Sequence, residues 1–240
     1  MNLVRLLKNR VNRVRHGLRY EISYAQCGED LLIQYVFATL GVREIRYLDI
    51  GAHHPSYLSN TCLFYLKGHR GVCVEPDATL LPAFHRERPA DKVLNVGVAP
   101  EDGESDFFVM STPTLNTFSR AEAERFASYG KERIERVEKV EIRNINSLIA
   151  DNFSAPPNLL SLDVEGLDLV ILQSLDFGRN APMVMCIETL SYTEDRSERK
   201  LTEVIEFVQA QGYFVYADTH VNSIFVRADA WRERGARGTA

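Results

Sequence analysis

Residues 47–52 constrain the fold of this chain more than any other stretch, because they combine an apolar run with an acid and a glycine. The bulky apolar residues suit a short strand that is buried on both faces of a parallel sheet. Asp49 lies near the end of the run, and Gly51 follows where the chain must turn. A glycine there permits unusual dihedral angles and lets a ligand approach main-chain N–H groups. The stretch therefore predicts a buried strand that ends at a ligand site.

A second apolar run, residues 71–75, also ends in an acid, Glu75. A carboxylate about 20 residues beyond a glycine turn is the usual acceptor for ribose hydroxyls in nucleotide-binding α/β sheets. A dinucleotide fingerprint would need further glycines, but His53 and Pro55 stand in their places. An acid before a single glycine suits a ligand with an ammonium group and no pyrophosphate. S-adenosylmethionine is such a ligand, so we expect an adenosine-bearing cofactor across the ends of adjacent strands.

Length and charge limit the classes of protein to consider. The 240 residues suit one large α/β domain, and the 45% hydrophobic and 25% charged residues are ordinary for a globular protein. Residues 1–20 carry six Lys/Arg and no acid, so the remainder has 22 bases against 33 acids, a net charge of −11. This acidic body argues against nucleic acid as a partner. The four cysteines form no C-x-x-C pair, which indicates reduced core residues of a cytoplasmic protein.

The first 22 residues are predicted to be a basic amphipathic leader, and residues 23–240 a single domain. Leucines and valines recur at helical spacing among the leader's bases, too polar for a signal peptide or a membrane span. Two interpretations remain open. Residues 1–20 attach the protein to an anionic membrane, at the inner face, or they form a solvated helix that packs on the domain.

Several elements can be predicted along the domain. Apolar residues on one helical face precede Gly41, short helices are expected at 56–67 and from Pro76 onward, and a third strand at 93–98. A strand at 107–110 leads through a polar loop into a charged helix at about 119–137. This region, about 105–140, is expected to form a lid-like insertion. A helix at 197–211 and a closing hairpin complete the pattern.

Acids end four successive apolar runs: Asp49, Glu75, Asp163 and Glu188. Ligands of open α/β sheets bind at the carboxyl ends of the strands, where these four side chains would meet. Glu165 is two residues beyond Asp163, so the two should share a side of their strand. The pattern predicts a ligand site at this edge of the sheet.

The sequence also resembles a known family. The motifs that carry the resemblance are Tyr24-x-Gln26-x-Gly28-Glu29-Asp30, Leu48-Asp49-Ile50-Gly51-Ala52 with Ser59-Asn60-Thr61, Gly71-Val72-x-Val74-Glu75-Pro76, Ser161-Leu162-Asp163-Val164-Glu165-Gly166, Ile187-Glu188 and Asn222-Ser-Ile-Phe-Val. In order and spacing they are similar to the FkbM-type methyltransferases, from about Tyr24 to Arg227. The resemblance implies a class I S-adenosylmethionine-dependent fold, which is a Rossmann-like seven-stranded sheet with an antiparallel last strand and helices on both faces. It implies O-methylation of a hydroxyl, commonly on a sugar or a polyketide.

The resemblance also implies roles for single residues. Asp49 and Gly51 would hold the methionine part of the cofactor, Glu75 the ribose, and Asp163 would face the sulfonium. Asn95 and Val96 would border the adenine. The remaining expected cofactor contacts are Gln26, Asp30, Ala52, Asn60 and Pro76.

Methylation of an alcohol requires a base or a metal that activates the hydroxyl. Candidate catalytic groups are His53, His54, Asp163, Glu165, Glu188 and His220. A divalent cation, Mg²⁺ or Mn²⁺, could be held by Asp163, Glu188 and His54, and metal-free base catalysis is slightly favoured. The expected acceptor is a small molecule or glycan, most simply a sugar of a glycolipid, polysaccharide or glycosylated metabolite. Two alternatives stay open: a Rossmann-type oxidoreductase that uses NAD(P), and a cofactor-binding subunit without catalysis.

Overall fold

The computed structural model describes residues 21–191 and 198–234, so most of the predicted leader lies outside the described residues. Ten strands and nine helices of the described part are used below. The strands are β1 (Arg46–Ile50), β2 (Arg70–Val74), β3 (Lys92–Leu94), β4 (Gly97–Ala99), β5 (Gly103–Met110), β6 (Ile134–Asn144), β7 (Leu159–Leu162), β8 (Val184–Glu188), β9 (Tyr213–Asp218) and β10 (Asn222–Arg227). The helices are α1 (Glu29–Leu40), α2 (Cys62–Leu66), α3 (Leu81–Glu87), α4 (Arg120–Ser128), α5 (Ile145–Asn152), α6 (Asp168–Ser174), α7 (Phe177–Asn180), α8 (Thr202–Ala210) and α9 (Ala228–Arg232).

Seven strands form the main sheet, in the order β3-β2-β1-β7-β8-β10-β9. The pairs β2–β3, β1–β2, β1–β7 and β7–β8 are parallel, whereas β10 runs antiparallel to both β8 and β9. The sheet thus has the seven strands and the antiparallel last strand that the sequence predicts, and β9 and β10 form the expected closing hairpin. The predicted fold class is confirmed.

Helices cover both faces of the sheet, so strand β1, whose side chains alternate between the faces, contributes to two cores. Leu48 and Ile50 belong to a core that includes residues of α5, α6 and α8. Tyr47 points to the other face, into a core that includes residues of α1, α3 and α9. All three side chains are at most 1% exposed. This double coverage explains why the strand is apolar on both sides.

The region after β4 forms a second, smaller sheet with the order β4-β6-β5. The prediction of one charged helix at 119–137 is wrong in its second half. Helix α4 ends at Ser128, and β6 pairs along β5 from residue 134. Mixed charges suit a solvated helix and an exposed strand equally, and much of β6 is exposed. Helix α4 packs against β5, and the two elements share a small third core that includes Phe108 and Phe126.

Other boundaries also differ from the prediction. The strand expected at 93–98 is split into β3 and β4, which belong to different sheets. The helix expected at 56–67 is limited to α2, so residues 56–61 form a loop, and the helix expected after Pro76 begins only at Leu81. Gly41 ends α1 in the left-handed conformation, as predicted. The helix expected at 197–211 is α8, and residue 197 lies outside the described part.

The cysteines and the helix lengths test two further expectations. Cys62, Cys73 and Cys186 are buried and free, as predicted, but Cys27 is exposed. Among the described helices, none combines the length and the apolar character that crossing a lipid bilayer would require.

Candidate functional site

A pocket of about 360 Å³ opens at the carboxyl ends of β1, β2, β7 and β8. Its size is in the range of small-molecule and cofactor sites. All four strand-ending acids of the sequence line it: Asp49, Glu75, Asp163 and Glu188. The opposite wall comes from Phe107 of β5 and from residues 112–118, which follow that strand. The pocket therefore lies between the main sheet and the smaller one.

Gly51 is required by the packing of two strand ends. Its φ of 76° is in the left-handed region, and a Cβ atom there would lie 1.7 Å from the carbonyl oxygen of Asp163. The N–H groups of Gly51 and Ala52 both donate to the carbonyl of Val74, at 3.1 Å. The expectation that this glycine opens main-chain N–H groups to a ligand is therefore wrong. It lets the turn after β1 pass directly against the end of β7.

Asp49 is held inside a network of hydroxyl groups. Its side chain is 4% exposed, and it accepts hydrogen bonds from Thr61 Oγ1, at 2.5 Å, and from the Ser161 hydroxyl. The Asn60 amide donates to Ser161 Oγ at 3.2 Å, which ties the loop before α2 to β7. Burial raises the pKa of Asp49, while the Arg88 guanidinium and the two hydroxyl donors oppose the shift. The carboxyl group has one fixed orientation at the pocket wall.

Glu75 joins two loops at the end of β2. One oxygen accepts from the backbone N–H of His53 and the other from that of Asp77, both at 2.7 Å. A carboxylate has about four acceptor positions, so two remain for ligand hydroxyls. Burial raises the pKa of Glu75 to about 8, against the effect of the two backbone donors. The residue is thus both a loop clamp and an acceptor that faces the pocket.

Three carboxyl groups meet beyond β7 and β8: Asp163, Glu165 and Glu188, here called the acid cluster. One oxygen from each lies within 4.8 Å of the others. Asp163 and Glu165 were predicted to share one side of a strand, but β7 ends at Leu162 and both residues lie on the following loop. Glu165 takes a positive φ of 53° there. The cluster could bind a cation through three oxygens or accept a proton from a substrate.

The acid cluster cannot be fully ionised at neutral pH. Loss of hydration raises the pKa of Asp163 to about 6, although a hydrogen bond with Glu188 lowers it. Loss of hydration and the neighbouring acids raise the pKa of Glu165 and of Glu188 well above the ordinary range. Like charges this close share protons, so the three groups titrate as a unit. Asp163 is the member most readily ionised near neutral pH.

The three candidate histidines are separated in the structure. His53 lines the pocket, and its buried Nδ1 has no hydrogen-bond partner; burial lowers its pKa, which favours the neutral ring. His54 does not line the pocket, because its Nδ1 accepts from the N–H groups of Ser56 and Tyr57. His220 is exposed in the β9–β10 turn, away from the pocket lining. The potential cation site thus differs from the expected one: Glu165, and not His54, lies beside Asp163 and Glu188.

The other expected cofactor contacts mostly line the pocket. Gln26, Ala52, Asn60, Pro76 and Val96 are among its lining residues.

Asp30 and Asn95 are not among the lining residues. Asp30 is buried and accepts from the Ser23 hydroxyl and the N–H groups of Tyr24 and Leu31, so it fixes the segment that carries Gln26. The Asn95 amide donates to the carbonyls of Glu75 and Pro76. Both residues support neighbouring lining residues instead of facing a ligand.

Several residues stand in the quoted motifs or in the expected lid-like region, but the sequence analysis assigned them no individual role in the site. Thr61 and Ser161 are hydrogen-bond donors to Asp49, and a hydroxyl inside the apolar run of β7 is a signal that could have revealed the second of them. Asn222 and residues 112–118 line the pocket from elements that the sequence places far away. Arg88 is 1% exposed, but nothing distinguishes it in the charged stretch 85–88.

Comparison with known proteins gives one sequence match. The family model described as the methyltransferase FkbM domain matches residues 49–215. A search of curated protein sequences finds no match.

Solved structures give distant likenesses. A TehB-like SAM-dependent methyltransferase from Corynebacterium glutamicum is 10% identical, with 93% of this chain and 96% of that chain covered and a TM-score of 0.42. A 1,6-didemethyltoxoflavin-N1-methyltransferase from Burkholderia thailandensis is 13% identical, with 92% of this chain and 85% of that chain covered and a TM-score of 0.41. An O-methyltransferase from Bacillus cereus in complex with SAH is 10% identical, with 91% of this chain and 86% of that chain covered and a TM-score of 0.41.

Proposed function

The chain belongs to the FkbM methyltransferase family, and from that premise we propose that it transfers a methyl group from S-adenosylmethionine to a hydroxyl group of a sugar. The sugar would be part of a glycolipid, a polysaccharide or a glycosylated metabolite. The observation that carries the proposal is the pocket at the strand ends, where Asp49, Glu75 and the acid cluster face one space of about 360 Å³.

The pocket suits S-adenosylmethionine in its charge and its acceptors. When bound, the cofactor supplies an electrophilic methyl group on a positively charged sulfur. Asp49 would pair with its ammonium group and Glu75 would accept from its ribose hydroxyls, through the oxygen positions that the backbone donors leave available. Val96 and Pro76 offer apolar surface beside Glu75 for the adenine. Negative charge on Asp163 favours a sulfonium nearby.

The acid cluster would supply the base. An ionised carboxylate of the cluster would take up the proton of the acceptor hydroxyl as that oxygen attacks the donor's methyl group, and the sulfur of the donor would keep the electron pair of the broken bond. Burial raises the pKa of Asp163 to about 6, so the cluster can carry negative charge near neutral pH and can take up a proton. Most of the rate acceleration comes from holding donor and acceptor in line.

The far wall of the pocket supports a sugar as the acceptor. Thr112 and Asn116 place hydroxyl and amide groups on this wall, which also carries the rings of Phe107 and Phe118. A polyol needs such a mixture of hydrogen-bonding groups and apolar surface. The family match disfavours the NAD(P)-dependent alternative, and the acid cluster at the pocket disfavours a subunit without catalysis.

Two measurements test this function. Titration calorimetry with S-adenosylhomocysteine should show binding, and NAD should show none. A panel of sugars and glycolipids is then incubated with S-adenosylmethionine, and S-adenosylhomocysteine formation and methylated products are analysed by mass spectrometry. Methylation at a sugar oxygen is the expected result. Products methylated only at nitrogen would contradict the hydroxyl acceptor, and the absence of S-adenosylhomocysteine binding would contradict the donor.

Metal dependence separates base catalysis from metal-assisted catalysis. With the acid cluster as base, turnover should be unchanged after exhaustive chelation and after addition of Mg²⁺ or Mn²⁺. If the cluster instead holds a cation that lowers the pKa of the acceptor hydroxyl, turnover disappears on chelation and returns with the ion. The matched variant is Glu165→Gln, which removes one potential ligand. A higher metal concentration needed for half-maximal turnover in this variant would support the metal-assisted route.

A further inference from the structure

Arg88, just after α3, is a cation in the interior of the protein. It is 1% exposed, and its Nη2 lies 2.7 Å from Asp91, whose side chain is fully buried. Arg88 Nε also donates to Asp91, at 2.8 Å, and the Tyr47 hydroxyl contacts both oxygens of the same carboxylate at 2.8 Å. A buried ion pair is costly unless further hydrogen bonds satisfy its atoms. The aspartate is satisfied in this way, and the two terminal nitrogens of Arg88, Nη1 and Nη2, also contact other groups.

These nitrogens reach the loop that leads to the pocket. Nη1 contacts the carbonyl of Pro55 and the hydroxyl of Ser59, each at 3.3 Å. Nη2 donates to Thr61 Oγ1 at 3.0 Å, and Thr61 Oγ1 lies 2.5 Å from Asp49. A guanidinium only donates, so the hydroxyl of Thr61 must accept from Arg88 and give its own proton to Asp49. The direction of the relay from Arg88 through Thr61 to Asp49 is therefore fixed.

We propose that Arg88 is a positioning residue for the methyl donor, because through Thr61 it keeps Asp49 oriented and negatively charged towards the donor's ammonium group. This inference rests on the proposed function, in which Asp49 pairs with that group. The competing account is purely structural: Arg88 and Asp91 would fill the interior beneath β1 without any effect on ligand binding.

The charges around Asp49 support the relay. Burial raises the pKa of Asp49, Arg88 lowers it, and Asp91 raises it again. Glu75 and Asp163 from the neighbouring strand ends also interact with Asp49, and each would repel its charge. The buried thiols of Cys73 and Cys186 face it as well. Arg88 is the cation that opposes these acids, so loss of the relay should make ionisation of Asp49 harder.

Thr61 provides the sharpest test, because it can be changed without removing the buried ion pair. Thr61→Val keeps the shape and loses the hydroxyl, whereas Thr61→Ser keeps the hydroxyl and should bind normally. Affinity for S-adenosylhomocysteine, which carries the same ammonium group, is measured by calorimetry from pH 6 to pH 8.5. Thr61→Val should bind about tenfold more weakly than the wild type at pH 6. Because Asp49 loses one of the two hydroxyl donors that favour its ionised form, the deficit in affinity should shrink as the pH rises.

Arg88 itself is tested with a matched arginine. Arg86 is two residues away and exposed, so Arg86→Met is the control for Arg88→Met and Arg88→Lys. Both Arg88 variants should bind S-adenosylhomocysteine more weakly than the wild type, and the loss of affinity should depend on pH. The loss should be smaller for Arg88→Lys, because lysine keeps the positive charge. A melting temperature that falls while the affinity ratio stays near one at every pH would overturn the relay and favour the structural account, as would equal affinities for Thr61→Val and wild type. If the wild type itself binds no S-adenosylhomocysteine, the proposed function fails together with the relay.

Discussion

At the scale of single residues, the site is unusual in how many carboxyl groups it removes from water. Desolvation raises the pKa of Glu75 to about 8, that of Asp168 to about 7 and that of Asp163 to about 6. A positively charged ligand would relieve the repulsion among such groups. A bound cation would therefore lower the pKa of these carboxyl groups and favour their ionised form.

Loss of the Glu75 carboxylate should weaken cofactor binding. The pKa of Glu75 is raised to about 8, so the comparison is made at about pH 9, where the group is ionised. Each charge-assisted hydrogen bond to the ribose is worth about 1.5–3 kcal/mol there, so Glu75→Ala should reduce the affinity for S-adenosylhomocysteine at least about tenfold. Calorimetry measures this, with Glu101→Ala as a control at an exposed turn. Circular dichroism checks that the variant is folded, since Glu75 also accepts from two backbone N–H groups. Unchanged affinity in a folded variant would remove the ribose assignment.

Asp168 should make stability depend on pH. Its pKa of about 7 is raised by burial and by Asp163, while backbone donors, including those of Val164 and Gly166, oppose the shift. An acid whose pKa is higher in the folded state stabilises that state fully at low pH, and the contribution is lost as the pH rises through the folded pKa. The free energy of unfolding should therefore fall between about pH 4 and pH 8, by up to about 4 kcal/mol from this group.

Asp168→Asn isolates that contribution, because asparagine accepts from the same backbone groups and does not ionise. Urea unfolding at pH 5, 6, 7 and 8 should show a shallower pH dependence for the variant than for the wild type. Glu75 and Asp163 titrate in the same window, so the difference between the two curves is the informative quantity. Parallel curves would show that Asp168 stays ionised in the folded protein.

At the scale of elements, the sequence predicts those strands whose burial leaves an unambiguous pattern. The apolar runs of β1, β2, β7 and β8 can be buried only in the middle of a sheet, and their terminal acids must then meet at one edge. Strand β6 could not be separated from a helix, because an exposed strand and a solvated helix carry the same mixture of charges. The split between β3 and β4 left no signal either, since both halves are apolar.

The turn after β1 gives a prediction at this scale. Gly51→Ala places a Cβ atom 1.7 Å from the Asp163 carbonyl oxygen, so β1 and β7 must separate at their ends. Gly130→Ala is the matched control: its φ of 85° is equally unfavourable for alanine, but no atom lies within 4 Å of the new Cβ. Both variants should lose the roughly 1 kcal/mol that a left-handed alanine costs. Only Gly51→Ala should in addition lose S-adenosylhomocysteine binding; equal behaviour of the two would show that the close packing is unimportant.

At the scale of the whole molecule, the pocket combines segments that are far apart in the chain, from Gln26 to Asn222. The acids could be placed in it from the sequence, because the strand ends of a parallel sheet converge. Residues 112–118 could be assigned only to a lid-like region, and Arg88 could not be placed at all, because their exact positions depend on the course of loops and of the second sheet. The histidines show the same limit: adjacent His53 and His54 look equivalent in sequence, yet only His53 lines the pocket.

The predicted basic leader concerns the molecule as a whole, and residues 1–20 lie outside the described part. The described chain begins beside α2, where Glu21 pairs with Lys67 at 2.8 Å and Ile22 is 69% exposed. If the leader attaches to anionic lipid, its six bases should contribute about 1 kcal/mol each near the surface, less at high salt. Full-length protein should then sediment with vesicles that contain phosphatidylserine and not with phosphatidylcholine alone.

Two variants make this test specific. Removal of residues 1–20 should abolish sedimentation with anionic vesicles, and so should replacement of the six bases by glutamine, which keeps the length and the apolar residues. Turnover of a water-soluble acceptor should be the same in all three proteins, because the described residues that line the pocket all lie beyond the leader. Equal vesicle binding by full-length and truncated protein would contradict membrane attachment. A lower melting temperature after truncation, without any vesicle binding by the full chain, would instead support a leader that packs on the domain.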